Sequence, residues 1–342
     1  MKRTEDNPKL HRFAVLTAVA VFGLIGAGGL VTSHDAGMTV PDWPNSYGYN
    51  MFTFPVSKWV GGIFYEHTHR LWASAAGLLT TLLAVWIWLK ESRAWVRWLG
   101  VAAFMAVVLQ GVLGGLRVVW NNDQLGIVHA AVGQLYFVLL CALVLFTSRR
   151  WKNSLDAPGG EAPRRLLLAA TLLIFGQLLI AATMRAQHAG LAIPDFPLAY
   201  GKVWPDMSPD AVAGYNVQHE EFAAAHPITA FQIGLQMVHR IMAAAILTTV
   251  ATCAWFARKS PLAKPALAWV GMILIQAGLG AWTIWSNKAA DVATAHVMGG
   301  AISLAWGALL TIIAFGRAGR PKEATEPVTT TPPLDQTAPQ TV

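Results

Sequence analysis

Residues 127–147 read IVHAAVGQLYFVLLCALVLFT and contain no Asp, Glu, Lys or Arg. About 20 mostly apolar residues suffice for a helix to cross the roughly 30 Å hydrocarbon core of a membrane. A membrane-spanning β-strand would instead alternate apolar and polar residues over about ten positions. The stretch therefore predicts a membrane-spanning α-helix, and its single histidine, His129, lies near one end.

Seven further runs share this length and composition: 13–33, 67–89, 96–116, 165–185, 234–256, 265–285 and 294–315. Because only helices or closed barrels satisfy the backbone in lipid, we predict an all-α integral membrane protein with eight transmembrane helices. The first run follows a basic start, as a signal peptide would. It is longer than a signal-peptide core and lacks a convincing cleavage site, so we expect a retained helix.

The composition of the 342-residue chain agrees with a membrane protein. Charged residues make up 13% and hydrophobic residues 55%, whereas soluble domains contain about 25% charged residues. The net charge of +7 does not indicate nucleic-acid binding, because the basic residues lie in short clusters between the apolar runs. The only cysteines, Cys141 and Cys253, lie inside such runs, which excludes a disulfide framework in the loops.

The basic residues also predict the orientation, since cytoplasmic loops carry an excess of Lys and Arg. Of the 25 Lys and Arg residues, seven fall on one side of the predicted membrane. The other 18 fall on the opposite side, together with both terminal segments. The seven are Lys58, Arg70, Arg117, Arg185, Lys202, Arg240 and Lys288. We therefore expect cytoplasmic termini, outward-facing loops at about 34–65 and 186–232, and a disordered cytoplasmic tail at 317–342, which is rich in Thr, Pro and Glu.

The sequence contains an internal repeat. Residues 37–48, GMTVPDWPNSYG, align with residues 190–201, GLAIPDFPLAYG, at six of twelve positions. Further matches follow in the same order: HR at 69–70 and 239–240, QGVLG at 110–114 and QAGLG at 276–280, and His129 with His296. We expect two tandem four-helix bundles related by a pseudo-two-fold axis along the membrane normal. They are an N-terminal half, 1–150, and a C-terminal half, 165–316, joined by a cytoplasmic linker, 151–164.

Four histidines lie at equivalent depths in this repeat: His69, His129, His239 and His296. Each lies near the outer end of an even-numbered helix and is followed four residues later by Ala or Gly, where a flat macrocycle can lie close to the helix. A lone histidine at a helix end is usually interfacial, but four repeat-related ones predict ligands. Because neutral imidazole binds haem iron, we predict two bis-histidine haem sites, one in each half. The other histidines in or beside the outer loops are expected to be solvated: His34, His67, His188, His219 and His226.

The two halves differ beside the first histidine of each pair. The N-terminal half reads EHTHR at 66–70 and the C-terminal half reads QMVHR at 236–240. Positions three apart on a helix share a face, so a carboxylate, Glu66, flanks the first site and a neutral amide flanks the second. This asymmetry predicts one reactive and one structural or electron-relay site; the alternative is an interfacial Glu66 paired with Arg70. Arg70 and Arg240 are predicted to pair with haem propionates, or else to extend from the helix end towards the membrane surface.

Together these residues resemble the haem A synthase family: Glu66-x-x-His69-Arg70, the repeated Gly-x-x-x-Pro-Asp-(Trp/Phe)-Pro loops, His129, His239-Arg240 and His296. The resemblance covers residues 10–316. It implies oxidation of the C8 methyl group of haem O to the formyl group of haem A, by successive hydroxylations, for cytochrome oxidase biogenesis. It also implies haem O bound as substrate by His69 and His129, with Glu66 as the catalytic carboxylate, and haem b bound by His239 and His296.

The resemblance further implies a bacterial inner membrane protein, surrounded by lipid, with its haem sites near the outer face. A haem O synthase and an unidentified electron-transfer partner are the expected protein partners, and a homo-oligomer is left open. The chain departs from the family pattern in its loops, where many relatives have cysteine pairs. The corresponding residues here are Val40, Ser46, Ile193 and Ala199, which excludes a mechanism based on a loop thiol or disulfide.

Two other functions and one other metal fit part of the pattern. A di-haem b-type membrane electron-transfer protein usually holds its haems at different depths. Here all four histidines lie at one end, and Glu66 would have no role. A transporter would have matched broken helices near the membrane centre, and no matching pair is present. Zinc usually takes four ligands, and no Cys or carboxylate cluster joins either histidine pair.

Overall fold

The structure, a computed structural model, describes residues 7–149, 151, 161–218 and 227–316. Within these residues it contains nine α-helices: α1 Pro8–Ser33, α2 Gly62–Lys90, α3 Ala94–Val119, α4 Asp123–Thr147, α5 Glu161–Ala186, α6 Pro209–Gln218, α7 Ala230–Ala257, α8 Ala263–Trp285 and α9 Ala290–Gly316. All except α6 are long and apolar enough to cross a membrane. The described part of the chain has two isolated β-bridges but no strand. The predicted all-α membrane fold is confirmed.

Several helices extend beyond the apolar runs that predict them. The α2 helix begins at Gly62 instead of residue 67, and α9 begins at Ala290 instead of residue 294. Hydropathy detects only the part of a helix that needs lipid, whereas the backbone hydrogen bonds continue into more polar residues. The α5 helix begins at Glu161, inside the predicted linker. Residues 152–160 of that linker and the predicted disordered tail, 317–342, lie outside the described residues.

The eight long helices pack in two groups of four. The α1 and α3 helices each contact α2 and α4, and α5, α7, α8 and α9 contact one another in the same cyclic order. Between the groups, α1 packs on α9, α4 on α5, and α4 on α9. Exchanging every helix with its repeat equivalent leaves these contacts unchanged, as a pseudo-two-fold axis requires. The packing agrees with two tandem four-helix bundles, while the sequence boundaries of the halves remain predictions.

Each group of helices encloses an apolar core. In the first group, Leu140 of α4 is fully buried among side chains of α1, α2 and α3. In the second, Trp269 is fully buried and donates its indole N–H to the carbonyl oxygen of Ser303 at 3.1 Å. Small residues bring the groups together, since a Cβ on Gly26 of α1 would lie 2.9 Å from Sδ of Met298 in α9. Close helix approach through glycine is typical of membrane bundles.

The two repeated loops fold alike at one end of the bundles. Asp42 accepts the backbone N–H groups of Tyr47 and Gly48, each at 2.7 Å, and Asp195 makes the equivalent pair of bonds at 2.7 and 2.8 Å. Burial raises the pKa of Asp42, but these N–H groups and the nearby Arg70 outweigh burial, so that its pKa lies below the usual value. Each repeated loop is therefore a compact turn structure, and both lie at the end of the helices that carries the four histidines.

Candidate functional site

The four predicted ligands lie in two pairs, His69 in α2 with His129 in α4, and His239 in α7 with His296 in α9. The ring centres of the second pair are 6.4 Å apart, with 66° between the ring planes. The two histidines of the first pair lie within electrostatic range of each other. In all four, the Nδ1 atom is buried and has no hydrogen-bond partner among the described residues. Buried polar atoms are almost always paired, so orphaned nitrogens in all four rings point to a bound group.

The spacing of the second pair fits a single metal ion between two imidazoles. With metal–nitrogen bonds of about 2.0 Å and roughly 1.1 Å from nitrogen to ring centre, the centres would lie about 6.2 Å apart. The observed separation is 6.4 Å. Within the described residues, no group of three or more His, Cys, Asp or Glu side chains could hold a metal ion. Two ligands are too few for a structural zinc site but suffice for an iron whose other ligands come from a porphyrin.

Glycines of neighbouring helices support three of the four rings. The pairs are Gly28 of α1 with His69, Gly114 of α3 with His129, and Gly280 of α8 with His296. A Cβ at these glycines would lie 3.1, 3.4 and 3.2 Å, respectively, from Cε1 of the ring. The helix backbone thus lies directly against each of these imidazoles and limits its movement on that side.

Glutamines of neighbouring helices fix the backbone at three of the histidines. Gln110, Gln177 and Gln276 donate through Nε2 to the carbonyl oxygens of His129, His239 and His296 at 3.2, 2.9 and 2.9 Å. Gly133 and Gly300, four residues after two of the histidines, lie against the first and last of these glutamines. These glycines make room for the glutamines, a role that the spacing along one helix does not reveal. The signal in the sequence is the repeat, which places Gln110 and Gln276 at equivalent positions.

The predicted catalytic carboxylate, Glu66, is 4% exposed and lies beneath the first outer loop. Its Oε1 atom accepts a hydrogen bond from Arg70 at 2.6 Å. Its Oε2 atom accepts the backbone N–H of Val40 at 2.8 Å and the hydroxyl of Thr39 at 3.0 Å. Three of the roughly four acceptor positions of a carboxylate are thus occupied. The ion pair that the sequence leaves as the alternative is present, and Glu66 holds the loop to α2.

Arg70 is also committed to the loop. Besides Glu66, its guanidinium contacts three backbone carbonyl oxygens. It donates to those of Val40, Asp42 and Asn45 at 2.8, 2.6 and 3.0 Å. The observed role of Arg70 is to anchor the loop. Its pairing with a haem propionate stays a prediction.

Gln236 occupies the position of Glu66 in the second half and has the same kind of contact. Its Oε1 atom accepts the backbone N–H of Ile193 at 2.6 Å, and its Nε2 atom donates to the carbonyl oxygen of that residue at 3.3 Å. Arg240 anchors this loop through the carbonyl oxygens of Asp195 and Leu198, at 2.7 and 2.8 Å. The two halves therefore share the contact between this position and the loop, which a carboxylate makes in one half and a neutral amide in the other.

The prediction that His67 is solvated is wrong, because its side chain is fully buried. Its ring centre lies 4.9 Å from that of Phe54 and 4.7 Å from that of Trp59, and its Nδ1 atom lies 3.1 Å from the Ser46 hydroxyl. The first loop folds over this face of α2, which the sequence of α2 alone does not show. Of the other loop histidines, His34 is exposed as predicted, His188 is half-buried, and His219 and His226 lie outside the described residues.

The four loop positions at which the resemblance would place cysteines are part of the packed loop interior. Val40, Ser46, Ile193 and Ala199 are at most 1% exposed. The two cysteines of the chain, Cys141 in α4 and Cys253 in α7, are free. Since neither loop contains a cysteine, neither can form a disulfide, as the sequence predicts.

The fold and the site define a class of protein: an all-helical membrane protein with two pairs of buried histidines near one end of its helices. The family model of the cytochrome oxidase assembly proteins, COX15-CtaA, matches residues 11–308. The chain belongs to this family. The matched region includes both repeats and all four paired histidines.

Similar proteins named Heme A synthase occur in several bacteria. The one from Geobacillus kaustophilus (strain HTA426) is 26% identical over 303 residues, which cover 84% of this chain and 86% of the relative. The one from Geobacillus thermodenitrificans is 25% identical over 338 residues, or 92% and 94% of the two chains. The one from Rhizorhabdus wittichii is 23% identical over 320 residues, or 84% and 88%. The similarity therefore extends through both halves.

Proposed function

We propose that this protein synthesises haem A for cytochrome oxidase assembly, as an oxidoreductase that converts the C8 methyl group of haem O to a formyl group. The observation that supports the proposal most directly is a carboxylate that is present beside the histidine of one half only. Glu66 lies one turn from His69, whereas the equivalent position beside His239 holds the neutral Gln236 in the same contact with its loop. An electron carrier with two equivalent haems has no use for this difference. Membership of the family and the relatives named Heme A synthase support the same activity.

In this proposal the N-terminal half binds haem O as its substrate through His69 and His129. Glu66 takes up a proton, at the acceptor position that the loop leaves free, as the methyl group is oxidised. Arg70 and the N–H of Val40 orient the carboxylate before the reaction begins, so that no reorganisation is needed during it. The bound haem supplies the iron and its redox chemistry, while these side chains supply the binding geometry and the proton transfer.

The C-terminal half, in this proposal, binds haem b as the resident prosthetic group through His239 and His296. The spacing of their rings suits one bis-histidine iron, and Gln177 and Gln276 fix the backbone behind both. Because this site lacks a carboxylate, we assign it to electron relay. The formyl oxygen comes from water, and the conversion releases protons and electrons. The electrons pass to a partner that the chain does not identify, and a haem O synthase supplies the substrate.

Co-expression with a haem O source tests the proposed activity. We expect a formyl-bearing haem in the extracted pigments, resolved by chromatography, and none without this chain. The control is co-expression of the haem O source with a vector that lacks the gene. If the purified protein instead binds haem at both sites while haem O stays unconverted, it is a di-haem electron carrier and the proposal is wrong.

We further propose that both termini lie in the cytoplasm and that the paired histidines lie near the outer face of a bacterial inner membrane. The proposal is supported by the basic residues, 18 of 25 of which lie on the predicted cytoplasmic side. The loops at about 34–65 and 186–232 attach at the same helix ends as the four histidines. The haem sites would therefore lie beneath the outward-facing loops.

Alkaline phosphatase, which is active only outside the cytoplasm, tests this orientation. Fused after Arg320, it is expected to be inactive, because the positive-inside rule places the C-terminal tail in the cytoplasm. Inserted after Asn50, in the first long loop, it is expected to be active. Enzyme activity in cells, normalised to the amount of fusion protein, is the measurement, and an active fusion after Arg320 would reverse the orientation.

A further inference from the structure

Two further arginines lie near the N-terminal histidine pair. They are Arg117, in the last turn of α3, and Arg185, in the last turn of α5. Arg117 donates to Asp123 at 3.1 Å, and that carboxylate is 58% exposed at the start of α4. The Nε atom of Arg117 is buried without a hydrogen-bond partner among the described residues. Because buried N–H groups are almost always paired, this N–H group is expected to donate to an acceptor of a bound group.

Two glycines, Gly37 and Gly126, lie directly against the guanidinium of Arg117. A Cβ on Gly37, in the first loop, would lie 2.7 Å from its Nη1 atom, and one on Gly126, in α4, would lie 3.0 Å from its Nε atom. Gly126 lies one turn before His129 on the same helix face. The guanidinium therefore lies between the loop and α4, one turn beyond the histidine towards the outer loops.

Arg185 reaches the same region from the other half of the molecule. Its Nη2 atom lies 3.3 Å from the carbonyl oxygen of Gly29 in α1, next to the Gly28 that supports the His69 ring. Arg185 lies within electrostatic range of both Arg117 and Asp35. In the described part of the chain, neither arginine forms an ion pair with Asp35. A carboxylate that accepts from both guanidinium groups would offset the repulsion between them.

Neither arginine has a counterpart at the C-terminal site. The repeat places Thr283 at the position of Arg117 and Thr32 at the position of Arg185. Both hydroxyls bond within their own helices, to the carbonyl oxygens of Leu279 and Gly28 at 2.8 and 2.9 Å. The pair of cations thus distinguishes the N-terminal site, as the carboxylate of Glu66 does.

We propose that Arg117 and Arg185 together form the carboxylate-binding part of the N-terminal site and bind the two propionates of the haem held there. The inference rests on the proposed function, which places a haem between His69 and His129. Guanidinium and carboxylate groups form strong, charge-assisted hydrogen bonds. The role predicted for Arg70 in this half would pass to these two residues, since Arg70 already contacts Glu66 and three loop carbonyl oxygens.

Titration of the full-length, detergent-solubilised chain with ferric haem b, followed by absorption, tests this inference. The background carries His239→Ala and His296→Ala, so that only the N-terminal pair binds. Arg117→Thr and Arg185→Thr introduce the residues that the repeat itself has at these positions. We expect each to weaken haem binding about 10- to 100-fold, the usual effect of losing one charged hydrogen bond. The dimethyl ester of the haem, which lacks the propionate charges, should bind these variants and the background chain equally.

Three controls make the result specific. Thr283→Ala and Thr32→Ala should change neither affinity, and Arg117→Lys should retain part of the affinity for haem b. In chains that keep His239 and His296, an unchanged C-terminal haem shows that the arginine variants fold. Equal weakening of haem and ester, or no weakening of either, overturns the inference. If neither ligand binds the background chain, the proposed N-terminal haem site itself is wrong, and the inference falls with it.

Discussion

Replacing His239 or His296 with alanine is expected to remove the six-coordinate low-spin haem signal of the C-terminal site. In the proposed site each ring would supply one nitrogen to the haem iron, so the loss of either ring would leave the iron with a single histidine. No other Cys or His in the described residues joins the two to form a larger ligand group that could replace the lost one. Reduced-minus-oxidised visible spectra and electron paramagnetic resonance of the purified variants measure the effect.

Two variants make this prediction specific. His34→Ala is the matched control, because His34 is exposed and stacks on the ring of Tyr65 rather than facing another histidine. It should keep the full haem signal. The double variant His69→Ala/His129→Ala should keep the C-terminal signal but lose binding of haem O. An unchanged spectrum after removal of both His239 and His296 would contradict their assignment as ligands.

The helices could be predicted from the sequence because lipid imposes one dominant physical constraint. A helix that crosses the hydrocarbon core needs about 20 apolar residues, whatever it packs against. All eight predicted runs correspond to long helices of the structure. The helix ends were less predictable, as at Gly62 and Ala290, since contact with loops and caps determines them rather than lipid.

The repeat made the pairing of the histidines predictable, but not their surroundings. Spacing along a helix shows which residues share a face, and thus that Glu66, His69 and Arg70 are neighbours. It does not show that residues 39–45 fold over that face. The hydrogen bonds that Glu66 accepts from the loop and the burial of His67 both follow from this long-range contact. Gln177, which contacts the carbonyl oxygen of His239 from another helix, has no equivalent in the first half and gave no signal.

Glu66→Gln is expected to lower the conversion of haem O to haem A by roughly 10²- to 10⁴-fold, the usual cost of losing an acid–base group. The variant should still fold, because Gln236 shows that an amide can accept the loop N–H at this position. Arg70 would lose its anionic partner but keep three loop carbonyl oxygens as acceptors. Arg240 has two such acceptors and forms no ion pair with any of the described residues. Haem content and extracted haem A, measured in the same preparations, separate loss of activity from loss of binding.

The repeat also supplies the controls that separate the charge of Glu66 from its contact with the loop. Glu66→Ala removes both, so it should disturb the first loop as well as the conversion, whereas Glu66→Gln removes only the charge. Gln236→Glu adds a carboxylate at the equivalent position and should leave haem A production unchanged, since the haem proposed for that half is not the substrate. If Glu66→Gln produces haem A at a nearly normal rate, Glu66 has no acid–base role. It would then be, like Gln236, a residue that fastens an outer loop to its helix, and the reactive asymmetry of the two halves would have to come from other residues.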